Sequence, residues 1–232
     1  MQIGDPIGEG FAIYKRFWRH LLPIALVTYL VVSLIALLLA AAGGALGALG
    51  SIVVSVAGVF LLQAALVEAV ADVRDGRADL SLGETLGRVW PRLGTVVAAG
   101  LLAGIAITIG LILLLVPGLY LLTIWSVVVP VIVLENVGVF DSFGRSRELV
   151  RGYGWTVFGV IVVTIVIDIV AALVLSLAFA GLSGSLARYV SNVIANTIIT
   201  PFVAATWTSM YFRLRELHQP AAFPAGAAYR EP

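Results

Sequence analysis

Asp168 is the residue of this chain best suited to chemistry, because it lies deep inside a long apolar run. At a rise of 1.5 Å per residue it stands near the middle of the stretch 155–180, where a charged group costs several kcal/mol and usually faces other helices. We expect a neutral, protonated carboxyl that hydrogen-bonds to Thr197 or Thr200 of the following run. Three roles stay open: a structural polar contact, the coupling of a proton or substrate, or an edge position towards lipid.

Two asparagines in the last apolar run could contribute to the same site. Asn192 and Asn196 are four residues apart and therefore share one face of a helix. Side-chain amides join neighbouring transmembrane helices through hydrogen bonds, and they can also line a polar path. Together with Asp168 and Thr200, they form the predicted polar intramembrane site.

No complete catalytic set accompanies these residues. Residues 181–184, Gly-Leu-Ser-Gly, resemble the serine motif of rhomboid proteases, but such a serine needs a histidine base on a neighbouring span. His20 and His218 are the only histidines, and both are predicted on the other side of the membrane. The chain has no cysteine, and Asp168 has no second intramembrane aspartate. The sequence therefore predicts no catalytic residue, metal or cofactor, and an enzyme is the least favoured class.

The elements that position these residues follow from a very apolar composition. Of 232 residues, 61% are hydrophobic and 12% are charged, whereas soluble domains carry about 25% charged residues. The net charge of +1 is too balanced to indicate a nucleic-acid partner. Six runs of about 20 residues or more are predicted to cross the membrane as helices, spans one to six. They are Leu21–Ala42, Ile52–Val73, Thr95–Val116, Gly118–Val137, Trp155–Ala180 and Tyr189–Phe212.

Basic residues indicate how the spans are oriented. All of the 14 basic residues except Arg188 lie before span one, between spans two and three, between spans four and five, or after span six. We therefore expect both termini on the cytoplasmic side of the cell membrane. Span one is too long for a cleaved signal peptide and is interpreted as a membrane anchor. Short turns at 43–50, 117–118 and 181–185 are predicted to join the spans into three hairpins.

A polar helix is predicted before each hairpin. The three helices are Ile7–Leu21, Leu82–Leu93 and Val139–Arg151, in which apolar residues recur at steps of three and four. Ser81 and Glu84 have the spacing of a capping box, which would define the start of the second helix. Each helix has an acidic residue near its start and basic residues later, which suits an amphipathic helix at the inner membrane surface. A solvated connector is the alternative.

Prolines and glutamates inside the spans lead to further predictions. Pro130 and Pro201 should break backbone hydrogen bonds in spans four and six, and the resulting kinks are either packing features or the walls of a cavity. Glu68 and Glu135 are expected to pair with arginines rather than to catalyse a reaction. The candidate partners are Arg74, Arg77, Arg145 and Arg147.

These patterns predict an all-α integral membrane fold of about six transmembrane helices. The helices form three hairpins, each preceded by a cytoplasmic amphipathic interfacial helix. Residues 1–217 are expected to form a single multi-pass domain. The segment 218–232 is rich in proline and alanine, has no hydrophobic period and is predicted to be a disordered tail.

The segment 117–158 carries a further signal in a set of spaced residues. They are Pro117, Gly118, Tyr120, Trp125, Pro130, Glu135, Arg145, Ser146 and Gly152. This pattern resembles the membrane domain attached to some bacterial glycerophosphoryl diester phosphodiesterases, and related stand-alone multi-pass proteins. The resemblance implies a fold and a membrane location. It implies no hydrolase activity, because no soluble segment could hold the phosphodiesterase domain, and Ile124 replaces an arginine common in that family.

The function expected from these observations is not catalytic. We expect an integral membrane protein that acts through contacts with lipids or proteins of the cell envelope. Its partners would be membrane lipids, other membrane proteins or a second copy of itself. The alternative is a transporter of a small solute or a lipid that uses Asp168 and the polar residues of span six.

Overall fold

The computed structural model describes residues 1–178 and 185–218, without the side chains of residues 75, 185–190 and 192. The described residues form helices and short connections, with no strand. Six helical segments are long and apolar enough to cross a membrane, which confirms the predicted multi-pass helical fold. Of the predicted turn at 181–185, only Ser185 lies within the described residues. Of the predicted tail at 218–232, only His218 does.

Nine α-helices follow one another along the described chain. They are α1 (Gly4–Ala41), α2 (Gly44–Asp72), α3 (Leu82–Val89), α4 (Leu93–Leu113), α5 (Leu115–Ile124), α6 (Val128–Glu135), α7 (Val139–Val150), α8 (Gly154–Ala178) and α9 (Ser185–His218). Three antiparallel pairs make the hairpins: α1 with α2, α4 with the α5–α6 segment, and α8 with α9. Short 3-10 turns follow α2 and join α3 to α4.

Each hairpin is preceded by a helical segment, as the sequence predicted. The first segment is the beginning of α1, which is offset from the rest of the helix by a kink at Phe17 (φ −114°, ψ 19°). The second is α3, and its capping box is present: the backbone N–H of Glu84 donates to the Ser81 hydroxyl, and that of Ser81 donates to the Glu84 carboxylate. The third is α7.

Two turns are shorter than the sequence predicted. The glycine run after residue 43 is helical, and only Ala42 and Gly43 separate α1 from α2; Gly43 and Gly44 take positive φ angles there. The second turn is the single extended residue Leu114, so Pro117 and Gly118 belong to α5 and do not form the turn. The two helices approach so closely that a Cβ on Gly110 would lie 2.9 Å from the Cα of Gly118.

The two predicted proline breaks have different outcomes. Span four is interrupted between α5 and α6, with Trp125 and Val127 outside helical geometry, and Pro130 lies in the first turn of α6. A proline is tolerated there because the first-turn N–H groups have no partner within the helix. Pro201 lies inside α9 and has no N–H to donate to the carbonyl four residues earlier, so that backbone hydrogen bond is missing, but the helix continues through the residue without interruption.

The helices are well packed in one half of the bundle and exposed in the other. We call the end where α1 begins and α9 ends the charged end, because ion pairs such as Arg213–Glu9 and Arg145–Glu135 lie there. The core clusters lie in the half next to it; in α2, for example, every residue from Ala64 to Val70 is buried. Towards the hairpin turns the helices expose large apolar side chains, as a surface in contact with lipid would.

Gly10 is required where α1 crosses α9. A Cβ on Gly10 would lie 2.7 Å from the backbone N and Cα of Thr206, whereas a Cβ on Gly8 would have nothing within 4 Å. We predict that Gly10→Ala lowers the free energy of unfolding by about 2 kcal/mol or more, because backbone has to move. Gly8→Ala should be neutral or stabilising, since alanine favours a helix. Denaturation in detergent measures both, and equal stability of the two variants would contradict the packing.

Candidate functional site

The carboxylate of Glu135 joins three helices at the charged end. It accepts a hydrogen bond from Nε of Arg145 on α7 at 2.9 Å and another from the hydroxyl of Tyr211 on α9 at 2.9 Å. Glu148, which is more exposed, accepts from the same guanidinium at 2.9 Å. Burial of Arg145 lowers its pKa, but the hydrogen bonds to Glu135 and Glu148 outweigh it and leave the pKa above its ordinary value. The predicted Glu135–Arg145 pair is confirmed.

Other residues of the 117–158 pattern support the interrupted span. The hydroxyl of Ser146 donates to the carbonyl of Ile124 at 2.7 Å, at the point where α5 ends. The ring of Trp125 packs on that of Phe143, with centroids 4.7 Å apart. In a membrane every freed carbonyl needs a donor, so α7 supplies partners that a continuous helix would have supplied itself.

Other carboxylates of the charged end also form ion pairs. Arg213 donates to Glu9 at 2.8 Å, and Arg74 donates to Glu216 at 3.0 Å, so the beginning of α1 is tied to α9 and the end of α9 to the residues after α2. Glu68 pairs with Arg88 at 3.3 Å, which is not one of its predicted partners. These ion pairs connect the helices at the charged end.

A cavity of about 480 Å³ lies between α1, α2, α6 and α9. Its wall is mostly apolar, with Val32, Leu62 and Val203 among its residues, and Val59 stands at its opening with 64% of its surface exposed. Along α9 it extends from Asn196 to Trp207, a length of about 16 Å at 1.5 Å per residue. Cavities of this volume with a few polar groups are typical of ligand sites.

The cavity brings together two of the four residues of the predicted polar intramembrane site. Asn196 and Thr200 both line it. The side chain of Asn192 is not described. Pro130 also lines the cavity. Of the two interpretations of the prolines, packing features or walls of a cavity, the second therefore applies to Pro130.

Asp168 lies apart from this cavity. It falls one helical turn after the buried Thr164, on the same face of α8, yet it is exposed and does not line the cavity described above. The Thr197 hydroxyl is buried and has no hydrogen-bond partner, so the predicted bond between Asp168 and Thr197 is not formed. The reason is that the packed half of α8 ends at Thr164, beyond which the described helices leave this face uncovered.

Two cavity residues carry polar groups that the sequence analysis did not select. Tyr29 and Gln63 lie inside spans one and two and both line the cavity. Gln63 is a side-chain amide within an apolar run, the same signal that had singled out the asparagines of span six. Only the tertiary structure shows that it shares a cavity with Thr200.

A second, more open groove of about 630 Å³ lies between α5 and the start of α8. Tyr120 and Gly152 of the 117–158 pattern line it, together with Tyr153 and Trp155. Trp155 is 87% exposed, a position typical of an aromatic residue at a membrane surface. Gly152 has a φ of +86°, which explains a glycine in the turn between α7 and α8.

Within the described part of the chain, no three His, Asp or Glu side chains are grouped closely enough to hold a metal ion. Comparison with known proteins adds a family. The model of a family described as a domain of unknown function, DUF7847, matches residues 81–214, more than half of the chain. No curated protein and no solved structure matches the chain. The match covers the second and third hairpins, so the cavity lies between matched residues and the first hairpin.

The Glu135 cluster should be needed for stability. Glu135→Ala is predicted to lower the free energy of unfolding by about 2–3 kcal/mol, since it leaves the hydroxyl of the buried Tyr211 and Nε of the partly buried Arg145 without their acceptor. Glu148→Ala removes a carboxylate from the same arginine at an exposed position and should change stability by less than about 1 kcal/mol. Denaturation in detergent compares the two, and equal losses would contradict the central role of Glu135.

Asp168 is expected to lower stability rather than to support it. Asp168→Leu should raise the free energy of unfolding by about 1 kcal/mol, because it removes a carboxyl from an exposed apolar face of α8. Asp72→Leu is the matched control and should be destabilising, since the Asp72 carboxylate accepts from the backbone N–H groups of Asp79 and Leu80 at 3.0 Å. A clear loss of stability in Asp168→Leu would show that the carboxyl has a partner in the membrane.

Proposed function

The chain belongs to the DUF7847 family, whose description assigns no activity, and from the geometry of its cavity we propose that it is a non-catalytic membrane protein that binds lipid. The observation that carries this proposal is the cavity between α1, α2, α6 and α9. Its apolar wall, its length along α9 and its opening at Val59 suit the acyl chain of a lipid that enters from the side.

The packing of the bundle supports the same proposal. Hairpins that are joined at the charged end and exposed towards their turns leave spaces that lipid chains fill in a membrane. The groove between α5 and the start of α8 lies nearer the charged end and is a second space that lipid could fill, and the exposed Trp155 that lines it suits an interfacial position. The protein would thus act by holding lipid between its hairpins.

The charged end would lie at the cytoplasmic surface of the cell membrane. The distribution of basic residues supports this orientation, with α3, α7 and the first turns of α1 at the surface. Exposed basic residues such as Lys15, Arg16 and Arg19 could then meet lipid phosphates. The resemblance to the membrane domain of glycerophosphoryl diester phosphodiesterases supports the same location. Partners in this proposal are membrane lipids first, then other membrane proteins or a second copy.

Transport of a lipid or small solute is the second candidate. It is favoured by the interruption of span four beside the cavity, because discontinuous transmembrane helices often border the binding sites of transporters. Asn196 and Thr200 would contribute to the path. Asp168 lies outside the cavity, so proton coupling through that residue is the weaker version of this candidate.

Filling the opening of the cavity tests the lipid proposal. Val59→Trp should reduce the amount of lipid that stays bound through purification several-fold, because the indole occupies the mouth of the cavity. Val53→Trp is the matched control, since Val53 is on the same helix, is 65% exposed against 64% for Val59, and does not line the cavity. Native mass spectrometry of the protein released from detergent counts the bound lipids.

The result that would overturn lipid binding in the cavity is equal lipid retention in native protein, Val59→Trp and Val53→Trp. Absence of bound lipid from all three would overturn it as well.

A further inference from the structure

We infer that the ligand of this cavity carries an uncharged hydrogen-bonding group, a hydroxyl or a carbonyl, that binds to Gln63 and Thr200. The inference rests on the proposed lipid site and adds the chemical class of the lipid. It would be a neutral lipid with a polar group inside the cavity that reaches these two side chains, rather than an anionic lipid or a plain hydrocarbon.

The described wall of the cavity carries no charge. None of the described residues that line it is acidic, basic or a histidine. An ionised group brought into this apolar space would lose its hydration and gain no counter-charge, which costs far more than the burial of a neutral group. The wall therefore selects against an ionised group at this depth.

The polar side chains in the wall differ in whether they already have a hydrogen-bond partner. Most of them are already bonded: the hydroxyl of Ser33 donates to the carbonyl of Tyr29 at 2.7 Å, and that of Ser55 donates to the carbonyl of Ser51 at 2.7 Å. Trp207 has an indole N–H without a partner, but that atom has no accessible surface and cannot meet a ligand. These groups leave little for a ligand to bind.

Gln63 and Thr200 differ from them. Among the described residues, neither side chain has a hydrogen bond or ion pair, and both are only partly buried and line the cavity. An amide and a hydroxyl each donate and accept, so together they match a hydroxyl or carbonyl on a ligand. In an apolar environment an unmade hydrogen bond is costly, which gives a ligand with such a group an advantage over a hydrocarbon.

A series of ligands with one chain length separates these classes. The full-length protein in detergent, stripped of lipid, is titrated with oleyl alcohol, oleate and 1-octadecene, and binding is followed by native mass spectrometry. We expect oleyl alcohol to bind most tightly, about ten- to a hundredfold more tightly than 1-octadecene, the value of two hydrogen bonds. Oleate at a pH where it is ionised should bind more weakly than the alcohol.

Variants assign the difference to the two side chains. Gln63→Leu and the nearly isosteric Thr200→Val should each weaken oleyl alcohol binding about three- to tenfold and leave 1-octadecene unchanged. Ser55→Ala is the control within the same cavity and should change neither, because its hydroxyl is bonded to its own helix. Thermal denaturation checks that each variant is folded. If Gln63→Leu does not fold, Thr200→Val alone is enough to test the inference.

The outcomes distinguish this inference from the lipid proposal itself. If all three ligands bind equally, or oleate binds most tightly, or Thr200→Val changes nothing, the inference is overturned while lipid binding stands. If none of the ligands binds and purified protein retains no lipid, the proposed function fails first. If light scattering shows a dimer that Val59→Trp dissociates, a second copy occupies the opening and the inference is again overturned.

Discussion

The carboxylate of Glu135 is the contact through which the interrupted span is held in the bundle. It ends α6, and its two oxygens receive Arg145 from α7 and Tyr211 from α9. The α5–α6 segment and α9 are also the two most buried of the six membrane-crossing segments. Lipid is as apolar as the side chains, so burial alone does not drive helices together in a membrane, and hydrogen bonds and close backbone contacts have to do so.

The contacts that hold the helices together are concentrated near the charged end of the bundle. Close packing at Gly10 and Thr206 and the ion pairs of Arg213 and Arg74 all lie in the half next to the charged end. Towards the hairpin turns the helices expose large apolar side chains, and a cavity lies between α1, α2, α6 and α9. In the proposed function, lipid would fill this space between the hairpins.

The charged end and the cavity wall differ in charge, and this difference bears on the chemical class of the ligand. At the charged end, carboxylates meet arginines, while the polar side chains in the described wall of the cavity are all uncharged. A neutral amphiphile can enter such a wall without losing a counter-ion, and it satisfies side chains that the bundle leaves unpaired. The position of Asp168 on an uncovered face of α8 separates that carboxyl from this ligand space.

The sequence by itself determined the helical membrane fold, the three hairpins with their leading helices and the capping box at Ser81, because hydrophobic period, turn residues and near-neighbour spacing are local properties. It also predicted an arginine partner for Glu135 but left four candidates, from which the structure selects Arg145. The tertiary structure alone decided the rest. It placed the break of span four before Pro130, brought Gln63 and Thr200 to one cavity, and left Asp168 without Thr197. These outcomes depend on how far along each helix the packing extends, and no local pattern encodes that distance.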